Sequence, residues 1–521
     1  MNLKRTATAL VGSAALLATA SPAWGGGELP MELPGSAGTA GTSTWLVGTR
    51  TPVSAREARA LGGRAILGGR VLVVARGDAR KAAARLDDGG NLLYAEPDAN
   101  FRRSSAWESQ RTGWARGSVV ASSLAAPTPG SATVAVVDDF VDASHPDLAG
   151  NVTFLNSGTR AGPHGTAVAS AAAGIDGNGG VFGVFPGAKI LSVQPPDMTC
   201  AGVAEAVRLA TAAKPDVINL SLGSPSDCLT LRIPIQVAFG AGSIVVAASG
   251  NEFDEGNPVI YPAAWPHVVS VAAVTRSLKS AYFSTSNAAV DISAPGVSVP
   301  VAVPISMDTD DESQDGYAAE DGTSFSSPMV AGAAAWVGVA RQDMSPGQVA
   351  DLLRQSARDL LAKGWDKDTG WGLLNVGGAL TAEAPLNDPS EPNDLISEVS
   401  GRLFSTPDEF IWRGGAETSF EASVDRTEDP ADIYRIEIPA LGAATVSVTP
   451  TLGNADLELY SGSATYVGQR ARRIGYSRRT GKRTDRVSVR NRGQSAAAAY
   501  VVVKPSTRGY LNAEYRLRVA P

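Results

Sequence analysis

Three patterns of apolar and polar positions follow one another along this chain. Between residues 43 and 101, short apolar runs at 44–47, 71–74 and 91–95 read as strands. Stretches with helical spacing at 55–61 and 79–86 lie between them. Strands and helices alternating over so short a length predict a small α+β unit. From about residue 133 the apolar runs are almost free of polar residues, at 133–137, 189–193, 216–220, 243–248 and 268–274. Helical stretches at 166–173, 203–213 and 233–240 fall between these runs, and two more follow at 327–340 and 346–356. Continuously apolar strands separated by helices predict a parallel sheet with helices on both faces. After a Pro- and acid-rich linker at 385–393 the period becomes two. Runs at 432–438, 444–449, 456–460, 486–490, 499–503 and 514–519 predict a C-terminal β-sandwich over 394–521.

The first 23 residues have a different character. Lys4 and Arg5 precede a short apolar run, and Ser21-Pro22-Ala23 supplies small residues for cleavage. That is the build of a secretory signal, and the run is too short to span a membrane. A Gly-rich stretch, 25–42, follows.

Composition narrows the function classes. Hydrophobic residues make up 44% of the 521 and charged residues 19%, an ordinary globular balance. The net charge is −7, but residues 104–387 hold 14 Lys/Arg against 27 Asp/Glu. So acidic a middle region argues against nucleic acid as a partner. Cys200 and Cys228 are the only cysteines. In an exported chain they most simply form one disulfide, and two free thiols are the alternative.

Four residues carry candidate chemistry. Asp138 ends the strand Val134-Ala135-Val136-Val137, where open α/β sheets place their sites. His164 is one of only three histidines and opens Gly165-Thr166-Ala167. Ser324 lies in Gly322-Thr323-Ser324-Phe325-Ser326-Ser327-Pro328, just before a helix of small residues. Backbone N–H groups at a helix start are free to face an oxyanion. Asn251 follows the strand 244–248 and Ser249-Gly250, where a side-chain amide can donate to the same oxyanion. Each alone has an ordinary explanation as a cap or turn residue. Together they give an acid, a base, a nucleophile and an amide donor at element ends of one sheet, in the order Asp, His, Ser.

On these residues the chain resembles the subtilase family. The matching stretches are 134–138 with Ser144-His145-Pro146-Asp147-Leu148, His164-Gly165-Thr166, Val217 through Gly223, 247–251, 322–332 and Gly370-Trp371-Gly372-Leu373-Leu374-Asn375. The resemblance implies a serine endopeptidase with Asp138, His164 and Ser324 as its triad and Asn251 as oxyanion donor. It implies that Ser221-Leu222-Gly223 pairs with extended substrate and that Ser249-Gly250 walls the primary pocket. Ile260 falls where many members have glycine, which implies a shallow apolar pocket. Asp139-Phe140 depart from the family's usual turn after the catalytic Asp.

The resemblance further implies an organisation: signal 1–23, inhibitory propeptide 24–103, peptidase domain 104–384, linker 385–393 and C-terminal domain. Self-cleavage is expected between Phe101 and Ser105. The last domain resembles the bacterial pre-peptidase C-terminal domain, through Glu391-Pro392-Asn393-Asp394 and Asp432-Ile433-Tyr434. No cofactor is expected for the chemistry. Asp147, Asp176 and Asn178 are candidates for a structural calcium, though the sequence defines no metal-ligand set. The acidic run Asp308, Asp310, Asp311, Glu312 and Asp315 reads as a solvated loop. Residues 470–492 hold ten Lys/Arg and one acid, Asp485, and read as a solvated hairpin. The expected product is a secreted, extracellular monomer acting on polypeptides and inhibited by its own propeptide.

Overall fold

The structure, a computed structural model, describes residues 44–98, 102–103, 106–107, 114–119, 121, 123–157, 161–175, 180–309, 314–403, 406–506 and 512–521. The expected signal, the Gly-rich stretch, Phe101, Ser104, Ser105, Asp176, Asn178, Asp310, Asp311 and Glu312 lie outside the described residues.

The N-terminal unit is a four-stranded antiparallel sheet in the order Gly63–Ile66, Val71–Ala75, Thr44–Thr49, Leu92–Pro97. Helices Ala55–Ala60 and Arg76–Asp88 belong to the same unit. Its central strands are apolar on both faces. Val47, Leu72 and Val74 meet Ala79, Ala82 and Leu86 of the longer helix. Leu46, Val71 and Val73 join a second core shared with helices of the next unit. A unit this small buries little surface alone, so the second face supplies much of its stabilisation. The strand Gly63–Ile66 is not legible in the sequence, because its Gly-Arg-Ala-Ile run lacks alternation.

The middle unit carries a seven-stranded parallel sheet. Its order is Ile292–Pro295, Val268–Val274, Ile244–Ala248, Val217–Leu220, Thr133–Val137, Lys189–Val193, Val152–Phe154. Helices Pro163–Ala173 and Thr323–Ala340 pack on one face, and Cys200–Ala212 and Leu229–Gly240 on the other. This is the expected doubly covered α/β sheet. The two edge strands escaped the sequence pattern, one being short and partly exposed and the other ending in Pro295.

The long helix corrects one expectation. It begins at Thr323, four residues earlier than the apolar pattern suggested, so Pro328 lies inside the helix rather than in its first turn. Proline cannot donate to the carbonyl four residues back. That carbonyl belongs to Ser324, and it accepts instead from Ser221 Oγ at 2.7 Å.

The C-terminal unit is a β-sandwich. One sheet orders Phe410–Trp412, Asp432–Ile438, Ala497–Pro505, Ala455–Ser461 and Arg473–Ser477; the other orders Thr418–Asp425, Asn512–Ala520, Ala443–Leu452 and Asp485–Arg490. Tyr434, Leu457, Leu459 and Val501 meet Val446, Val448, Tyr515 and Leu517 between the sheets. The basic segment is solvated as expected, all its cations but Arg473 being exposed, yet it is not one hairpin, because Arg473–Ser477 and Asp485–Arg490 belong to different sheets. Glu458, 1% exposed, collects Arg473 at 3.1 Å, Lys504 at 3.4 Å and Arg478. The sandwich is tied to the middle unit by two ionic groups. Arg354 bridges Asp291 (3.2 Å) and Glu428 (3.3 Å), and His267 Nε2 meets Glu391 at 3.2 Å and Asp394 at 3.0 Å. Among the described residues, no helix is long and apolar enough to cross a membrane.

Candidate active site

Asp138 follows directly on the central strand Thr133–Val137, its backbone N–H donating to Val193 O at 3.1 Å. Its carboxylate is 1% exposed. His164 is the second residue of helix Pro163–Ala173, whose first residue is the proline favoured there. That helix approaches the Asp138 loop closely enough to require glycine: a Cβ on Gly165 would stand 2.0 Å from Asp139 O. The approach brings His164 Nδ1 to 2.9 and 2.8 Å from the two Asp138 carboxylate oxygens. A carboxylate on Nδ1 fixes the ring and directs Nε2 outward as the reacting nitrogen. His164 Nε2 is buried and has no hydrogen-bond partner.

Ser324 is the second residue of the helix Thr323–Ala340. The His164 ring lies against Phe325, the next residue, with centroids 5.7 Å apart. Ser324 Oγ donates to Ser221 O at 3.2 Å, so this rotamer does not make the bond to the base. Such bonds commonly tighten only with substrate in place. Beneath the nucleophile lies a buried polar network that the sequence reading missed. Asn219 Nδ2 donates to Ser221 Oγ (2.9 Å), and Ser327 Oγ donates to Asn219 Oδ1 (3.0 Å). With the bond from Ser221 Oγ to Ser324 O, this network holds the helix start in place. Asn219 sits in a run of strand residues and Ser327 in a run of serines, so neither stands out by pattern.

Asn251 is oriented for donation. Its Oδ1 accepts from Thr323 N (3.0 Å) and Thr323 Oγ1 (2.7 Å), while the buried Nδ2 has no partner. A buried amide nitrogen without a partner costs about 1–3 kcal/mol. A group kept so at an element end is suited to meeting a charge that forms only in the reaction. Thr323, also missed, is the residue that sets the amide's orientation.

The substrate-side residues converge as well. Leu222–Gly223 form a short strand paired antiparallel with Arg102–Arg103 of the same chain, Leu222 opposite Arg103 and Gly223 opposite Arg102. Farther along, Ala106–Trp107 pair with Glu320–Asp321, immediately before Ser324. Two short pieces of the segment between the N-terminal and middle units thus pair with the strands Leu222–Gly223 and Tyr317–Asp321, which neighbour Ser221 and Ser324 in sequence. Gly250, at φ 107°, occupies backbone space that favours glycine. Ile260 fills the space between the two walls: a Cβ on Gly223 would lie 2.3 Å from Ile260 Cγ2, and one on Gly250 2.6 Å from Ile260 Cγ1. Phe140 is accommodated by edge contact with Phe154, centroids 5.6 Å apart.

Two carboxylates of the N-terminal unit dock on helix starts behind the site. Glu96 accepts from Leu229 N (2.7 Å) and Thr230 N (2.6 Å), and Tyr94 OH meets Thr230 Oγ1 at 2.8 Å. Asp98 accepts from Ala201 N at 3.1 Å. Anions suit helix N-termini. Burial nevertheless outweighs the lowering bonds at Glu96 and pushes its carboxyl up to about 7. Cys200 and Cys228 form a disulfide that joins the starts of these two helices.

The remaining candidates fare differently. Asp147 is fully buried and accepts from Val181 N at 2.7 Å and Tyr317 OH at 3.3 Å. Its two companions in the calcium expectation lie outside the described residues. Asp308 is not solvated, as the acidic run had suggested. It is 1% exposed and accepts from Gly316 N at 2.7 Å, closing its loop.

Comparison with known proteins shows what the middle unit is similar to. Residues 130–372 match the model of the Subtilase family. Subtilisin of Bacillus pumilus is 35% identical over 264 residues, covering 48% of this chain and 92% of that protein. Subtilisin E of Bacillus subtilis is 36% identical over 48% of this chain, and the match spans 66% of its length, just under two thirds. The crystal structure of fervidolysin from Fervidobacterium pennivorans, described as a keratinolytic enzyme related to subtilisin, aligns with a TM-score of 0.57. It covers 86% of this chain and 85% of that one at 19% identity, which is a likeness of fold.

Proposed function

The chain belongs to the subtilase family, and on that premise we propose that it is a secreted serine endopeptidase made as a self-processing zymogen. The observation that carries the proposal is a pair of unpartnered polar atoms on residues that touch the two neighbours of Ser324: His164 Nε2, backed by Asp138 with its ring against Phe325, and Asn251 Nδ2, backed by Thr323. In this reading His164 takes the proton from Ser324 Oγ as the oxygen attacks the scissile carbonyl. Asp138 stabilises the imidazolium, and Asn251 Nδ2 with the Ser324 N–H holds the oxyanion. His164 then delivers the proton to the leaving amine, and water resolves the acyl-enzyme. Substrate would add a strand to Leu222–Gly223 by main-chain pairing.

The pairing of Arg102–Arg103 with Leu222–Gly223 and of Ala106–Trp107 with Glu320–Asp321 supports self-cleavage between Phe101 and Ser105, with residues 24–103 released as an inhibitor. The expected signal at 1–23 supports export. Ile260 between Gly223 and Gly250 favours small side chains in the primary pocket. Expressing Ser324→Ala tests the zymogen directly. The variant is expected to accumulate unprocessed, and a normally matured N-terminus would refute self-cleavage.

A further inference from the structure

The C-terminal sandwich carries its charge unevenly. Residues 459–521 hold 14 Lys/Arg against 2 Asp/Glu, while 394–458 hold 4 against 13. Ten of these cations, nine of them arginine, fall between residues 470 and 492. The strands Arg473–Ser477 and Asp485–Arg490 close the same edge of the sandwich, each as the last strand of its own sheet. They meet where Gly475 lies over Val487, so closely that a Cβ on the glycine would stand 2.3 Å from Val487 Cγ1. Val487 points inward, so Arg486, Ser488 and Arg490 point to water. Arg479, Lys482 and Arg483 lie exposed in the connection between the two strands. The acids of this edge are turned in. Asp485 is fully buried and accepts from Arg479 N at 2.9 Å, and the buried Glu458 takes up Arg473 and Arg478.

Among the described residues the other eight cations pair with no carboxylate, and none of the ten pairs with a carboxylate of the middle unit. The edge is therefore not spent on docking within the chain. A field of one sign costs self-repulsion that interspersed charges avoid. Arginine in place of lysine adds a planar fork that matches carboxylate, sulfate or phosphate oxygens two at a time. The chemistry beside the arginines narrows the ligand. Thr445 Oγ1 meets Ser488 Oγ at 2.9 Å, and Thr449 Oγ1 meets Thr484 Oγ1 at 3.0 Å. From Ala443 to Thr449 and from Arg486 to Arg490 the outward face carries hydroxyls and cations and no large apolar side chain. Lipid binding needs apolar groups that enter the membrane, so this face suits a hydroxylated anion better. Tyr476, 61% exposed, has the guanidinium carbons of Arg473 and Arg478 at 4.6 and 5.9 Å from its ring centroid, and it offers a flat face to a sugar ring. Duplex DNA carries one charge per ~1.7 Å, and the acidic peptidase domain repels so dense a field.

We propose that the edge formed by Arg473–Ser477, Asp485–Arg490 and their connection binds an acidic polysaccharide, a polymer of sugars bearing carboxylate or sulfate groups, and tethers the peptidase domain to it. The cations are exposed and spread along the edge, so each contact is weak and binding depends on many at once. That is the behaviour expected toward a polymer rather than a small free anion.

The test uses the full chain carrying Ser324→Ala to prevent self-digestion, and its outcome does not depend on proteolytic activity. Fluorescence anisotropy with labelled heparin and labelled polygalacturonate reads the affinity at about 0.15 M salt. Binding of one polymer alone assigns sulfate or carboxylate as the ligand group, and binding of both assigns either. Arg479→Gln, Arg483→Gln, Arg486→Gln and Arg490→Gln together are expected to weaken binding by about thirtyfold. Removing as many exposed cations from the N-terminal unit, with Arg64→Gln, Arg76→Gln, Arg80→Gln and Lys81→Gln, is expected to change it by under about twofold. Should the first variant not fold, Arg486→Gln with Arg490→Gln takes its place, with binding weakened by about fivefold. Unchanged affinity in the folded sandwich variant, an equal loss in the N-terminal variant, or no binding of either polymer overturns the proposal. So does tighter binding of duplex DNA or of phosphatidylglycerol vesicles than of both polymers.

Discussion

Docking of the N-terminal unit should loosen as pH rises, and Glu96 sets the size of the effect. In the separated N-terminal unit this carboxyl would face water, with an ordinary pKa of 4.5; docked, it stands at about 7. The causes compete. Loss of hydration raises it, and bonds from Thr230 and Leu229 lower it by less. A carboxyl raised in the docked state takes up a proton on docking. Its contribution is therefore fully present below pH 4.5 and is lost as pH rises through 7. The difference corresponds to about 3 kcal/mol, on the order of a hundredfold in affinity. Asp98, also raised by burial, acts in the same direction. The assay is binding of the separate segment 24–103 to mature protein carrying Ser324→Ala, followed between pH 4.5 and 8. The dissociation constant is expected to rise about a hundredfold to pH 7 and then level off. A Glu96→Gln segment should give a much flatter profile. Parallel profiles for the two segments, or wild-type affinity that strengthens with pH, would refute the reasoning. On the proposed zymogen reading, the unit would be released in neutral or alkaline medium.

Further outcomes follow from the same geometry. Asn251→Ala should lower kcat by about 10²–10³, or about 2.7–4 kcal/mol, the size known for oxyanion amides in this family, with KM nearly unchanged; a fall under fivefold on a fluorogenic peptide would remove its role. Ile260→Gly should open the space between Gly223 and Gly250 and raise kcat/KM for aromatic over alanyl residues before the scissile bond by about tenfold or more, given the methylenes removed; an unchanged ratio across a peptide set contradicts the pocket assignment.

Much of the molecule was legible where one physical signal dominated. The five central strands of the parallel sheet are nearly uninterrupted apolar runs, and their boundaries differ from the sequence reading by at most one residue. The residues proposed as the triad, with Asn251, stand out in the sequence because their types are rare at strand and helix ends in combination. What stayed hidden depends on contacts between distant segments. The first turn of the Ser324 helix reads as a polar loop, Thr323 through Ser327, because its serines face a buried network whose other half is Asn219 and Ser221. The strands Phe410–Trp412 and Arg473–Ser477 were missed because each lies at a sheet edge, where alternation is weakly enforced.

The central claim is that Ser324 is activated by His164 and Asp138. Treatment of the mature protein with a fluorophosphonate, followed by peptide mapping, tests it most directly. A single adduct on Ser324 is predicted, reduced by orders of magnitude in a folded His164→Ala chain. Labelling of Ser324 at equal rate without the imidazole, or no reaction in a correctly matured wild-type chain, would contradict the account.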